Sequence, residues 1–231
     1  MKSSRLFIYA LILAICIAVG GFLKKKYYDP KRKLSAANEQ VSQLTAKGAI
    51  RDGDVIFQTS LSTQSKAIQI ATHSKYSHCG IIFSFDTGNA KYYVIEAEGR
   101  VKWTPLTKWI ARGEDGHYVI KRMVTDPMIP DEMLTRLKQI CEGYLGKKYD
   151  PYFEWSDDRI YCSELVWKAY YKLNKFELGK PQQLKDFDLS NDMVKAKLAE
   201  RYGDKIPLND TVISPAAIFD SNMLKTVAEN N

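Results

Sequence analysis

The chain opens on an apolar run, Leu6 to Leu23, that carries no charge and is bracketed by Lys2 and Arg5 before it and Lys24-Lys25-Lys26 after it. A polar stretch follows, Tyr27 to Gly48, in which Ala36 to Ala46 reads as a short helix ended by Gly48. From Ile50 the pattern becomes that of a folded domain. Asp52-Gly53-Asp54 signals a turn into a short strand, Val55 to Gln58. Gln64 to Thr72 has helical character, with Ala67, Ile68 and Ala71 on one face. Cys79 to Phe85 and Lys91 to Ala97 are β-branched and aromatic runs separated by Asp86-Thr87-Gly88-Asn89, which predicts a β-hairpin; Gly116 to Arg122 is a third strand. Apolar positions then recur at helical spacing in Asp131 to Leu145 (Met133, Leu137, Ile140, Cys141, Tyr144) and in Ser163 to Leu173 (Leu165, Val166, Ala169, Tyr170, Leu173). Asp192 to Tyr202 is a weaker helix, and Pro215 to Phe219 a short helical turn. The strands form one block with helices before and after it. That is the α+β arrangement, not the alternation of a doubly wound sheet.

The 231 residues divide accordingly into an apolar segment (1–23), a polar linker with a short helix (24–48) and one domain with a single core (49–231). The net charge of +7 changes meaning once it is located. Up to Lys33 there are eight basic residues and one acid, Asp29, which leaves 26 basic and 26 acidic residues in the remainder. The domain is therefore neutral, and a basic face for nucleic acid is excluded. The charge flanks the apolar segment, where it meets anionic headgroups. As a helix that segment spans about 27 Å, enough for a thin bilayer core. Its length favours a transmembrane anchor through residues 6–23; a cleaved secretory signal is the alternative. The excess of positive charge after the segment would by itself place the domain in the cytoplasm.

Of the four cysteines, Cys16 lies in the apolar segment and Cys141 on the apolar stripe of a helix, where a buried structural thiol is expected. Cys79 alternates with His78 along a strand, so the two side chains should face opposite ways. A Cys79–Cys141 disulfide is compatible with an oxidising compartment. No zinc-ligand spacing is present, and three histidines are too few to suggest a metal site. Cys162 stands apart. Asp157 or Asp158 offers a helix cap just upstream, so Cys162 falls in about the first turn and shares a face with Leu165, Val166 and Ala169. A helix N-terminus favours a thiolate and supplies N–H groups for an oxyanion. A buried core cysteine is the plainer alternative.

Among the histidines, His73 ends a helix and His117 follows a Gly-Glu-Asp-Gly turn, whereas His78 stands at the mouth of a core strand with Gly80 beyond it on the same face. Glu96 interrupts an apolar strand that the hairpin brings beside His78; a carboxylate there can hold one imidazole nitrogen and leave the other for a thiol. Glu98 has the same parity and is the runner-up.

These segments together resemble a family. Asp52-Gly53-Asp54-Val55-Ile56-Phe57, Ser77-His78-Cys79-Gly80-Ile81, Val94-Ile95-Glu96-Ala97 and Tyr161-Cys162-Ser163-Glu164-Leu165-Val166 resemble the YiiX-like permuted papain-fold group, distantly related to NlpC-type peptidases and lecithin retinol acyltransferase-like enzymes. The histidine and acid precede the cysteine, the reverse of papain's order. The resemblance implies a small antiparallel β-barrel packed on helices and a bacterial cell-envelope location with an extracytoplasmic domain. It also implies a cysteine amidase or peptidase with Cys162, His78 and Glu96 as catalytic residues. No cofactor is implied, because cysteine acyl chemistry needs none. The loop Tyr149-Asp150-Pro151-Tyr152-Phe153-Glu154-Trp155 leads into the Cys162 helix. Tyr149, Tyr152, Glu154 and Trp155, with Tyr76 beside the histidine, are the candidates for substrate contact. Their aromatic and acidic character suits an amine-bearing substrate; peptide, N-acyl amine and lipid-linked substrates all remain open. A lipid-acting thiol acyltransferase or acylhydrolase and a non-catalytic binding module are the alternatives.

Overall fold

The computed structural model describes residues 29–86, 90–124 and 129–230; the apolar segment 6–23, and with it the anchor or signal expectation, lies outside them. Among the described residues no helix is long and apolar enough to cross a membrane. The first helix, α1 (Asp29–Ala46), starts well before the expected 36–46 because its early turns are polar and exposed; it buries only Ala37 and Leu44. The domain then runs β1 (Val55–Gln58), α2 (Thr63–Thr72), β2 (His78–Ser84), β3 (Tyr92–Glu98), β4 (Arg100–Pro105), α3 (Leu106–Arg112) and β5 (Val119–Met123). It continues with α4 (Asp131–Glu142), β6 (Lys148–Tyr149), β7 (Arg159–Ile160), α5 (Cys162–Asn174), β8 (Gln182–Gln183), α6 (Asp192–Tyr202), β9 (Thr211–Val212), α7 (Pro215–Phe219) and β10 (Leu224–Glu229). Strands followed by helices confirm the α+β class.

Eight strands form one sheet in the order β10-β5-β1-β2-β3-β4-β6-β7, antiparallel apart from the short β6–β7 pair. The expected closed barrel is not formed: β10 and β7 are free edges of an open sheet. The reason lies in how its faces are covered. On one face α5 lies across β2 and β3, joining Leu165, Val166 and Ala169 to Phe57, Ile81 and Ile95. On the other, α1 and α3 cover Ile56, Ile82 and Val94 with Leu44, Trp109 and Ile110. A sheet buried on both faces by helices need not close on itself, and its central strands read as continuous apolar runs. Burial of both faces supplies most of the favourable free energy of the fold.

Two elements that the hydrophobic pattern did not reveal, β4 and α3, complete the frame around the site. Gly99, at φ +68°, turns β3 directly into β4, a conformation that glycine adopts without steric cost. Gly80 serves a different need: a Cβ there would lie 2.5 Å from Val94 Cγ1 and 2.6 Å from the Ile95 carbonyl oxygen. Its absence lets β2 and β3 approach closely beside Glu96.

Candidate active site

The start of α5 is set by the strand before it. Arg159 and Ile160 pair with Lys148 and Tyr149 and are still extended, so the helix begins at Cys162 with Tyr161 as its N-cap residue. Asp157, one of the two expected caps, instead pairs with Lys168 at 2.8 Å and with Lys172 at 3.3 Å. Tyr161 N–H donates to the buried Glu164 carboxylate at 3.3 Å, and Ser163 Oγ donates to the Ile213 carbonyl at 2.8 Å. These bonds hold Cys162, only 4% exposed, at the first position of the helix. There the unpaired N–H groups of the first turn and the positive end of the macrodipole lie beside its sulfur.

His78 opens β2 on the opposite face of the sheet, its ring stacked on Trp109 with centroids 5.8 Å apart. Nε2 is 2.6 Å from Glu96 Oε2. Glu96 is fully buried in β3 and accepts two further hydrogen bonds, from Thr104 Oγ1 to Oε1 at 2.6 Å and from Arg112 to Oε2. With Nε2 engaged, Nδ1 is the nitrogen left for Cys162. Glu98, the runner-up, is half exposed and pairs with Lys102 and Arg112 instead.

Cys79 alternates with His78 as expected, yet Cys162 sits where both can reach it, at the end of β2. The Cys79 thiol and its backbone N–H both hydrogen-bond the Cys162 sulfur. Among the described residues Cys79, Cys141 and Cys162 are all free thiols.

The charges are strongly coupled. The Cys79 hydrogen bond, followed by the His78 charge, draws the Cys162 thiol well below its ordinary range despite burial. Burial opposes a charged His78, but the Cys162 thiolate and Glu96 outweigh it and push its pKa up to about 9. Burial likewise opposes ionisation of Glu96, and His78 and Arg112 outweigh it to bring the carboxyl to about 2. All three shifts favour a thiolate–imidazolium–carboxylate row at neutral pH. Cys141 is the internal contrast, since burial drives its thiol far upward. Iodoacetamide is therefore expected to alkylate Cys162 rapidly below pH 7, where Cys141 stays inert. Peptide mapping of the full chain after labelling at about pH 4 to 9 checks this; equal rates for the two thiols would contradict the ion pair.

Two clefts meet at Cys162. One is apolar and runs between α2 and α6 past Ala67, Ile68, Phe153, Leu184, Leu198 and Val212, with Lys197 and Arg201 also in its wall. The other is more polar; it contains His78 and Glu98 with Ser60, Ser62, Ser65 and Ser77. Gln64, Ile68, Tyr149 and Cys162 line both.

Of the sequence candidates for substrate contact, Tyr149 alone borders these clefts. Tyr76 is buried in the core, stacked on Phe219 with ring centroids 4.0 Å apart. Tyr152 packs its ring on Tyr202 at 6.0 Å, and Trp155 lies edge-on to Trp167 at 5.3 Å in a separate recess. Glu154 is exposed and lines neither cleft. The loop turns at Phe153, whose φ of +54° sends this ring inward and carries its neighbours away. The acidic amine-selecting wall expected from the loop is thus absent from the cleft beside Cys162. No local pattern marks Arg112, Thr104 or Gln64, since each is polar in an ordinary context and gains its place only through pairing of distant segments.

Residues 49–228 match the model of a family described as permuted papain-like amidase enzyme, YaeF/YiiX. The protein YiiX of Escherichia coli is 53% identical over 177 residues, which cover 77% of this chain and 85% of YiiX. A crystal structure described as metalloprotein YiiX, also from Escherichia coli, is similar with a TM-score of 0.74 and 53% identity, over 78% of this chain and 97% of that one.

Proposed function

The chain belongs to the permuted papain-like amidase family of YaeF and YiiX, and from that premise we propose that it hydrolyses an N-acyl amide through a thioester on Cys162. The Cys162 thiolate attacks the amide carbonyl, forming the C–S bond while the carbonyl π pair moves onto oxygen. The His78 imidazolium protonates the nitrogen as the C–N bond breaks and the amine leaves. The neutral imidazole then takes a proton from water, which attacks the thioester and releases the acid and the thiolate. Glu96 holds Nε2 throughout, so that Nδ1 faces the sulfur. The pH dependence follows from the same charges. Activity rises as Cys162 ionises, well below the ordinary thiol range, and falls near pH 9 as His78 loses the proton it must deliver.

The substrate's polarity rests on one observation, the meeting of an apolar cleft and a more polar one at Cys162. An apolar acyl chain fits the first. The leaving amine then lies in the second, beside His78, where it must receive its proton. Peptides with charged residues on the acyl side fit poorly, and the lipid-linked class is favoured over them. The same cleft also suits a lipid-acting acyltransferase, in which an acceptor alcohol or amine replaces water. Location at the cell envelope, with the membrane engaged through residues 6–23, completes the proposal and rests on the sequence. Although the relative is described as a metalloprotein, among the described residues of this chain no group of three or more His, Cys, Asp or Glu could hold a metal ion. No step here runs through one.

Acyl p-nitroanilides of increasing chain length test the assignment. Each methylene buried in the apolar cleft is worth up to about 0.8 kcal/mol, so kcat/KM should climb about two- to four-fold per methylene until the cleft is full. A series flat in chain length, with a charged peptide anilide cleaved faster, would overturn the acyl assignment.

A further inference from the structure

Two thiols touch at the start of α5, and the thioester forms on only one of them. Cys79 is the second residue of β2, pairs with Phe57 of β1 and shares one core with Phe57, Ile81 and Leu165. Cys162 begins α5 against that core, and its sulfur accepts a hydrogen bond from the Cys79 thiol. A hydroxyl at position 79 would donate the same bond. Only a thiol can also join covalently to the sulfur it touches. Access to the two differs. Cys162 lines both clefts, whereas Cys79 is fully buried and lines neither. A small solute therefore meets Cys162 first. Burial above all, then the hydrogen bond to Cys162 and its charge, raise the Cys79 pKa, so Cys79 is the protonated partner of a thiolate. Thiolate character and access together select Cys162 for oxidation, and a thiol in contact with it is placed to capture the product.

We propose that Cys162 is a site of reversible modification by hydroperoxides, and that Cys79 is the resolving thiol that closes a disulfide onto it. In the first step the Cys162 thiolate attacks one peroxide oxygen. The S–O bond forms, the O–O bond breaks, and the departing hydroxide takes a proton from solvent. The sulfur is oxidised to a sulfenic acid and the peroxide is reduced. In the second step the Cys79 sulfur attacks the sulfenic sulfur. The S–S bond forms, the S–O bond breaks, and the departing hydroxide takes the Cys79 thiol proton and leaves as water. The sulfenic acid carries no charge, so Cys79 gives up its proton more readily at this stage than beside the thiolate. The disulfide removes the nucleophile and halts hydrolysis; a dithiol regenerates both thiols by exchange. Without Cys79 the sulfenic acid goes on to the sulfinic acid, which thiols do not reduce. The loss of hydrolysis rests on the amidase reading; the disulfide does not.

Hydrogen peroxide on the full chain, followed by dithiothreitol, tests this through two independent readouts: a non-reducing peptide map and hydrolysis of octanoyl p-nitroanilide. In wild type the map should join the peptides bearing Cys79 and Cys162. Hydrolysis should fall at least about ten-fold and return on reduction to within about two-fold of its starting rate. Cys79→Ser keeps a hydrogen-bond donor beside Cys162 but holds no second thiol. Measured against its own untreated rate, it should fall as far and regain less than about a tenth on reduction, with sulfinic acid at Cys162 in the map. Cys79→Ala should do the same, so that recovery follows the thiol and not the hydrogen bond. Cys141→Ser should keep both the cross-link and the recovery. A wild-type Cys162 that stays a thiol, or turns to sulfinic acid without the cross-link, overturns the assignment. So does a disulfide from Cys79 to Cys141, and so does full recovery in Cys79→Ser. Failure of the amidase reading looks different: untreated wild type then hydrolyses no anilide, while the peroxide-induced cross-link between Cys79 and Cys162 still appears in the map.

Discussion

Cys162→Ala should abolish amide hydrolysis, with kcat falling on the order of 10⁴- to 10⁶-fold, and His78→Ala should fall nearly as far. The two losses should not add, because they remove one ion pair. Without the thiol there is no acyl-enzyme, and a neutral alanine leaves His78 nothing to activate. Without His78 the sulfur keeps its Cys79 hydrogen bonds but loses the cation that also lowers its pKa. The leaving amine then has no proton donor. Alkylation of Cys162 in His78→Ala should therefore slow markedly below pH 7 and recover as the pH approaches the free-thiol range near 8.5. Circular dichroism and thermal melting should remain close to wild type, since Cys162→Ala opens only a small void. A His78→Ala protein that kept full hydrolysis, or kept rapid alkylation below pH 7, would remove His78 from the mechanism.

Glu96→Gln should cost about 10²- to 10⁴-fold in kcat, a loss that shape alone does not explain. The amide fits where the carboxylate was, but it has no charge to stabilise the imidazolium. It can also donate to Nε2 and so select the wrong tautomer; loss of the carboxylate in an orienting position is known to carry effects of this size. Arg112 makes matters worse. Its guanidinium stands 3.5 Å from His78 Nε2 and is neutralised by the same Glu96 oxygen. Once Glu96 is uncharged, Arg112 opposes a proton on His78 directly. The sign is fixed by the present state: Glu96 helps hold His78 at about 9, so its loss moves the alkaline limb of the pH–rate profile toward acid. The double variant Glu96→Gln, Arg112→Leu should recover part of the lost limb. An alkaline limb still near pH 9 in Glu96→Gln would show that the carboxylate does not set the charge of His78.

Legibility from sequence followed the range of the interaction. The α5 helix was visible because Leu165, Val166, Ala169 and Tyr170 repeat at one face, and all are buried in the fold. The β2 and β3 runs were visible because strands buried on both faces are continuously apolar. Inside them a histidine and a glutamate are conspicuous, since burying either is costly without a partner. Where no such contrast existed the pattern failed. β4 and α3 lie in Arg100 to Arg112, where polar and apolar residues mix and Pro105 interrupts, and they are held in place by pairing with β3 rather than by their own propensity.

The sequence by itself determined the α+β class, the extents of β1, α6 and α7, and the order of His78, Glu96 and Cys162 along the chain. These depend on local periodicity and on which polar residues interrupt an apolar element. Only the tertiary structure decided that Glu96 rather than Glu98 meets His78, because that turns on strand register and on Arg112 arriving from α3. It alone decided that the sheet stays open, that Cys79 touches Cys162, and that Tyr149 enters the clefts while Tyr76, Tyr152 and Trp155 do not. Each of these is set by contacts between residues tens of positions apart. Their energies come from burial and pairing in three dimensions, and no local pattern encodes them.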